Sequence, residues 1–337
     1  MAKSKLDILF LCDVSNTPPE NNDVRALFED KEWQPEARLV KGLEDLGHSI
    51  RTFALYDQIE PFIAEVQKNK PDIIFNQCEA LGGNRNYEAH IVSLFELLQI
   101  PYTGCDANTL NICKDKGLAK KILSFHRIRI PNFVISKKSR PIKSLKKFKY
   151  PTFTKPLHLE ASEGIAQLSF STNATDTLSR VEFIHENFNT DAMIEEYIEG
   201  RELYVSMLGG KRPTVFPIRE LFFRNFPEDE PKFATFKAKW DDQYREKWGI
   251  KTGYLKSIDP KTEKHILDTC KKIYKLFQIN GYARIDLRLK ENGEVVFLEM
   301  NPNPSIHEDE DYSQSAQKSG LSYEELLEQI IHLGLNR

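Results

Sequence analysis

One stretch, YARIDLRLKENGEVVFLEMNPNPS (282–305), constrains this chain more than any other. Asn292-Gly293 lies at its centre between alternating apolar runs. That pair is the strongest short-range hairpin signal, because both central residues of a type I′ turn need positive φ. A two-residue loop there sets Asp286 directly opposite Glu299 and Arg284 opposite Asn301. All four share one face, since strand side chains alternate with period two. Facing carboxylates repel, so something positive must sit between them. Hard divalent cations take carboxylate and amide oxygens, and Mg²⁺ often uses one or two carboxylates while bound phosphates supply other ligands. The quartet therefore reads as a Mg²⁺-nucleotide site. The competing reading is a solvated hairpin face on which Arg284 and Asp286 form a surface pair of little energetic weight.

The rest of the chain bounds that reading. Its 337 residues, 40% hydrophobic and 29% charged, fit a soluble globular protein of two or three domains. Lys plus Arg (47) nearly balances Asp plus Glu (50), so no global field argues for nucleic acid or an anionic membrane. Cys12, Cys78, Cys105, Cys113 and Cys270 are odd in number, widely spaced and without a CxxC pair. That disfavours a disulfide framework and a zinc site, and a reducing cytoplasm is the simplest home. The apolar run from Ile8 to Cys12 is too short for a signal segment or a membrane span and reads as a first buried strand.

Strand-like runs at 6–14, 48–55 and 71–78 alternate with helical patterns at 35–47 and 88–98. This order predicts a parallel, doubly wound sheet over residues 1 to 106, with ligands at the carboxyl ends of its strands. Asp106 then precedes one Lys-rich amphipathic helix ending near His126. The basic run 136–149 lacks interleaved stacking aromatics apart from Phe148 and reads as a solvated helix face. Lys155 ends a short strand, a loop and second strand follow, and AMIEEYIEGRELYVSML (192–208) gives two strands around Glu199-Gly200.

Seven stretches in order carry a resemblance: IPYTG (100–104), KDKGLAKKIL (114–123), PTFTKP (151–156), EEYIEGRE (195–202), ARIDLRL (283–289), LEMNPNP (298–304) and SGLSYEELL (319–327). With them the chain resembles the ATP-grasp superfamily, and within it the D-alanine–D-alanine ligases. The resemblance implies an α/β (α+β) ATP-grasp fold in three parts: a Rossmann-like parallel-sheet domain (1–106), a small central α+β subdomain (107–195) and a C-terminal antiparallel-sheet α+β subdomain (196–337). It implies ATP and Mg²⁺ or Mn²⁺ as cofactors, small-molecule acid and amine substrates such as an amino acid or peptide, and a homodimer. It puts Lys116 and Lys155 on the ATP phosphates, suited as flexible point charges. Adenine falls against Glu195 and the backbone of Tyr197 and Ile198, with Glu202 on the ribose hydroxyls. Asp286, Glu299 and Asn301 match metal ligands, Arg284 the group that steadies charge on the reacting carboxyl, and Lys239 a phosphate lysine on a covering loop.

The chain also departs from that pattern. The segment 13–36 lacks the motif, a glycine-rich turn followed by an acidic residue, that holds the first substrate's ammonium group in that family. Ala161, before Ser162, stands where a serine is expected, Trp240 where a tyrosine is, Ser305 where a glycine is, and Glu310 where the serine for the acceptor carboxylate is. A carboxylate facing a carboxylate disfavours D-alanine as acceptor and suggests a cationic or amine-rich one near residues 308–311. The implied activity is ATP-dependent carboxylate-amine ligation through an acyl-phosphate. The alternative is a catalytically inactive nucleotide-binding regulator, which would be free to lose the charged residues that all stand here.

Overall fold

In the computed structural model, described for residues 5–145, 148–228 and 230–337, three sheets follow one another along the chain. In the first, β1 (Asp7–Asp13), β2 (Ser49–Leu55) and β3 (Ile73–Gln77) pair in parallel in the order β2-β1-β3. Helices α1 (Gln34–Asp45), α2 (Glu60–Lys68) and α3 (Glu88–Leu97) alternate with them. Both faces of β1 are covered, so Ile8 to Leu11 are buried without alternation, as a central parallel strand requires.

The Lys-rich segment predicted as one helix is two, α4 (Ala107–Lys114) and α5 (Lys116–Phe125). Asp106 accepts from the Thr109 amide (2.7 Å) to cap the first. Asp115 accepts from the Leu118 amide (2.9 Å) and starts the second. A second N-cap inside the run breaks the helix, because an Asp side chain that takes the N3 amide replaces the backbone carbonyl there.

The second sheet is β4 (Phe133–Ser136), β5 (Thr152–Pro156), β6 (Phe170–Ser171) and β7 (Ala192–Glu196), ordered β4-β7-β5-β6 and backed by α6 (Ala174–Asn187). The described residues of 137–149 form no helix, contrary to expectation; a bridge between Lys137 and Arg140 turns the chain instead. Closely spaced lysines repel along any regular face, and Ile142, Leu145 and Phe148 pack against Val181 and Ile184 without a helix. Residues 146 and 147 lie outside the described set.

The third sheet holds β8 (Arg201–Gly209), β9 (Thr214–Val215), β10 (Arg219–Phe223), β11 (Ile250–Tyr254), β12 (Gly281–Leu289) and β13 (Val295–Pro302). Its order is β11-β10-β8-β12-β13, antiparallel, with β9 on β8. Short helices α7 (Phe236–Trp240) and α8 (Asp242–Trp248) lie between β10 and β11, α9 (Pro260–Leu276) precedes β12, and α10 (Asp311–Lys318) and α11 (Tyr323–Leu335) close the chain. No helix among the described residues is long and apolar enough to cross a membrane.

Residues 102–105 join the first sheet to the third. Tyr102 bridges Ile74, the Thr103 hydroxyl accepts from the Asn76 amide (3.0 Å), and Asn303 Oδ1 accepts from the Cys105 amide (2.7 Å). The approach is close enough to require glycine: a Cβ on Gly281 would lie 2.6 Å from the Gly104 carbonyl oxygen. Gly281→Ala is therefore expected to lower stability by about 1–3 kcal/mol. In urea this would appear as a lower midpoint with an unchanged slope.

Candidate functional site

The β12–β13 hairpin puts Asp286 opposite Glu299 and Arg284 opposite Asn301, as its sequence predicts, but by another route. The loop is three residues, closed by the Lys290 amide on the Glu294 carbonyl (3.0 Å), and only Gly293 (φ 81°) is left-handed in it. Such a turn shifts the register by one, and Leu287 indeed faces Phe297. A bulge at Leu298 takes up the extra residue, so the predicted pairing returns at Glu299. Two contacts hold the bulge: the Phe297 amide donates to the Arg129 carbonyl (2.9 Å) and Lys120 Nζ to the Leu298 carbonyl (2.6 Å).

A ladder of buried charge answers the repulsion between the two acids. Arg284 grips Asp286 with two hydrogen bonds (2.7 and 2.9 Å), and the Asn301 amide nitrogen donates to the same carboxylate (3.0 Å). Lys155, from β5, lies 3.7 Å from Glu299 and 3.3 Å from Glu195. Lys120, from α5, reaches the other Glu195 oxygen at 3.0 Å. Burial would raise the Glu299 pKa, but Lys155, Lys116, Lys239 and Arg284 outweigh it and bring it to about 2. Burial of Asp286 prevails over Arg284 and raises its pKa. The two facing carboxyls are thus pushed apart in acidity. Burial opposes the charge of Lys155, but Glu195 and Glu299 raise its pKa, whereas in Lys120 burial wins over Glu195 and brings it down to about 8.

Of the residues singled out from sequence, Lys155, Ser162, Glu195, Tyr197, Ile198, Glu202, Lys239, Asp286 and Glu299 line one cavity. Phe153, Ile165 and Phe233 supply its apolar wall. Arg284 and Asn301 stand directly behind, bonded to Asp286. Lys116 is not on the cavity wall: it is buried and donates to the Leu159 carbonyl, and burial lowers its pKa. Ser305 lines a separate cavity described below, and Glu310 lines neither. Within the acidic run, Asp311 is held by Arg219 (2.8 Å) and Asp309 by Arg38 (3.3 Å).

Sequence reasoning missed two contributors. Arg288 lines the cavity and pairs with Glu202 (2.9 Å), and its i+2 spacing from Asp286 on the same strand face was the available signal. Lys120 lies one turn beyond Lys116, so the i, i+4 spacing carried it. The positions that depart from the resembled pattern also meet: the Trp240 indole N–H donates to the Ala161 carbonyl (3.0 Å). This fastens α7, with Lys239, onto the loop after Lys155.

Two carboxylates and a neighbouring amide make an oxygen donor set that suits a hard divalent ion bound together with phosphates. Among the described residues no group of three or more His, Cys, Asp or Glu forms a closed metal cage. A site completed by phosphate oxygens needs none.

Comparison with known proteins supplies independent findings. The sequence profile described as D-ala D-ala ligase C-terminus matches residues 112–332. The vancomycin/teicoplanin A-type resistance protein VanA of Enterococcus faecium is 29% identical over 278 residues, spanning 80% of this chain and 75% of that protein. A D-alanine–D-alanine ligase of Caldicellulosiruptor bescii is 29% identical over 306 residues, spanning 86% and 78%. In fold, the chain is similar to the D-alanine–D-alanine ligase of Bacillus anthracis crystallised with ATP, with a TM-score of 0.74, 19% identity and 98% of each chain covered.

Two outcomes follow from the charge ladder. Lys120→Met leaves Glu195 with a single cation and the Leu298 carbonyl without its donor, and is expected to cost about 3–5 kcal/mol in chemical denaturation. Because the folded-state pKa of Glu299 is depressed from 4.5 to about 2, its stabilising contribution is complete above pH 4.5 and is lost as pH falls toward 2. Glu299→Gln should flatten the stability-pH slope across that window.

Proposed function

The chain belongs to the D-alanine–D-alanine ligase family, an ATP-grasp family, and we propose from that membership that it joins a carboxylate to an amine through an acyl-phosphate formed from ATP. The observation that supports this most is the convergence of Lys155, Lys239, Asp286 and Glu299 on one cavity, with Arg284 behind them. Lys155 and Lys239 attract the polyphosphate. Glu195, Tyr197 and Ile198 face adenine, and Glu202, steadied by Arg288 and the Tyr204 hydroxyl (3.0 Å), takes the ribose hydroxyls.

Mg²⁺ or Mn²⁺ held by Asp286, Glu299 and Asn301 would neutralise charge on the phosphates. Arg284 orients the reacting carboxylate and stabilises charge as its oxygen attacks the γ-phosphorus and ADP leaves. The amine then attacks the acyl carbon and phosphate departs with its oxygen. No protein nucleophile is needed, so positioning and fixed charge provide the rate enhancement. The Trp240–Ala161 bond closes α7 over the site and keeps water from the acyl-phosphate.

Glu310, where the resembled pattern has the serine that binds the acceptor carboxylate, repels a D-alanine acceptor. Glu308 and Glu310 are the exposed acids of this run with no ion pair among the described residues, and they favour a cationic acceptor. Five free, buried cysteines suit a reducing cytoplasm.

Mg²⁺ with ATP is expected to raise the melting temperature more than ATP alone. Asp286→Asn with Glu299→Gln should abolish the difference between the two. In an ADP-release assay over a panel of acids and amines, Arg284→Ala should cut kcat by about 10²–10³-fold, the cost of losing a group that stabilises transition-state charge. Undiminished turnover in that variant would remove the role given to Arg284. Trp240→Phe should raise the ratio of ADP released to product formed, because the cover loses its fastening.

A further inference from the structure

The acid-bearing face of the hairpin continues past the charge ladder. Asp286–Glu299, Arg284–Asn301 and then Tyr282 beside Asn303 form successive steps along it. Each step of two residues spans roughly 7 Å. Beyond Arg284, on the side away from the nucleotide cavity, Tyr282 and Asn303 form one wall of a second cavity of about 230 Å³. Its far wall comes from the carboxyl ends of β1 and β3 and from the first turn of α1, with Asp13, Asn76, Glu79 and Glu36, and its rim includes Ser305 and His307. Arg284 thus stands between two spaces. One is lined by phosphate-directed lysines, the other by carboxylates.

The second cavity is short of positive charge. Glu88 is satisfied by Lys114 (2.7 Å), and Glu79 meets Arg85 at its outer edge (3.2 Å). Asp13 accepts the Glu79 amide (2.7 Å) but has no ion pair among the described residues. Glu36 has His307, at 3.7 Å, as its one ion-pair partner among the described residues, and one Glu36 oxygen is shut from solvent without a hydrogen bond. Burial, with Arg38 nearby, pushes the His307 pKa down to about 4, so this ring is neutral at pH 7 and does not balance Glu36.

A second observation points to a ligand. Asn76 is 3% exposed, and its Oδ1 is fixed by accepting the Cys78 amide (3.1 Å). Its amide nitrogen has no acceptor among the described residues and is not shut from solvent, so it stays open to the cavity that Asn76 lines. An occupant with both an acceptor and a cation would satisfy Asn76 and the two acids together.

We infer that this cavity receives the body of the acid substrate, and that this substrate carries a cationic group for Glu36 and Asp13 well removed from the carboxyl held at Arg284. The class is a basic amino acid, or a short peptide with a free amine, rather than alanine. Its volume of about 230 Å³ leaves room for several carbons and a charged end. The inference rests on the ligase reading and names the class of its first substrate.

The test isolates the first half-reaction. The whole protein is incubated with Mg-ATP, hydroxylamine as the acceptor, and lysine, ornithine, arginine or alanine in both configurations, and hydroxamate and ADP are measured. At least one basic acid should exceed alanine in kcat/KM by roughly tenfold or more, the effect of a charge pair worth ~1.4 kcal/mol. Glu36→Gln should erase that preference and leave the thermal shift with Mg-ATP intact, while Glu36→Asp should restore part of it. Alanine as the best donor, or a preference for basic donors that survives both Glu36→Gln and Asp13→Asn, would overturn the inference and leave the ligase reading standing. No thermal shift with Mg-ATP and no ADP with any donor would overturn both.

Discussion

Lys155 holds the structure's chemistry together. It comes from the second sheet, touches Glu195 on its own sheet, and crosses to Glu299 on the third. Through Glu299 it counters the acid pair, and through Glu195 it is tied to Lys120 on α5. Buried ions are costly to bring out of water, and a network of them is favourable only while every member keeps a partner. The cleft between the second and third sheets is therefore closed by fixed charges as well as by apolar packing. In the function proposed above, the same charges would meet a polyphosphate and its metal.

Much of this was legible in the sequence because it is local. The alternation in 282–302, which puts Asp286 and Glu299 on one face, depends on strand period alone, and the family resemblance brought Lys155, Glu195 and Lys239 to the same site. What was not legible depends on distant partners. The turn is one residue longer than its Asn-Gly centre suggests, and the Leu298 bulge restores the register, so the expected pairing is right although the expected loop is wrong. Nothing local announces that bulge, since it is fixed by Lys120 and Arg129, more than 160 residues earlier. Asp13 and Glu36 were likewise silent, because only the strand order β2-β1-β3 and the 102–105 junction bring them to the hairpin.

The residues at 161 and 240, which depart from the resembled pattern, still meet each other. A serine and a tyrosine could speak to each other, and to substrate, through hydroxyls. Alanine and tryptophan lose those groups, yet the indole N–H finds the Ala161 backbone carbonyl and still fastens one loop on the other. Closure by a backbone acceptor is indifferent to what the substrate offers.

The kink at Leu298 also bears on how the chain can be divided. Its free carbonyl and the amide before it are satisfied by α5 and by Arg129, both upstream of the second sheet. A C-terminal fragment that begins at β8 would carry both strands of the hairpin but neither of these gauges. In such a fragment the strands are free to slide by one residue, which turns Glu299 to the opposite face. The earlier segment acts as a jig for the later one, and the catalytic face takes its alignment only when both halves are joined.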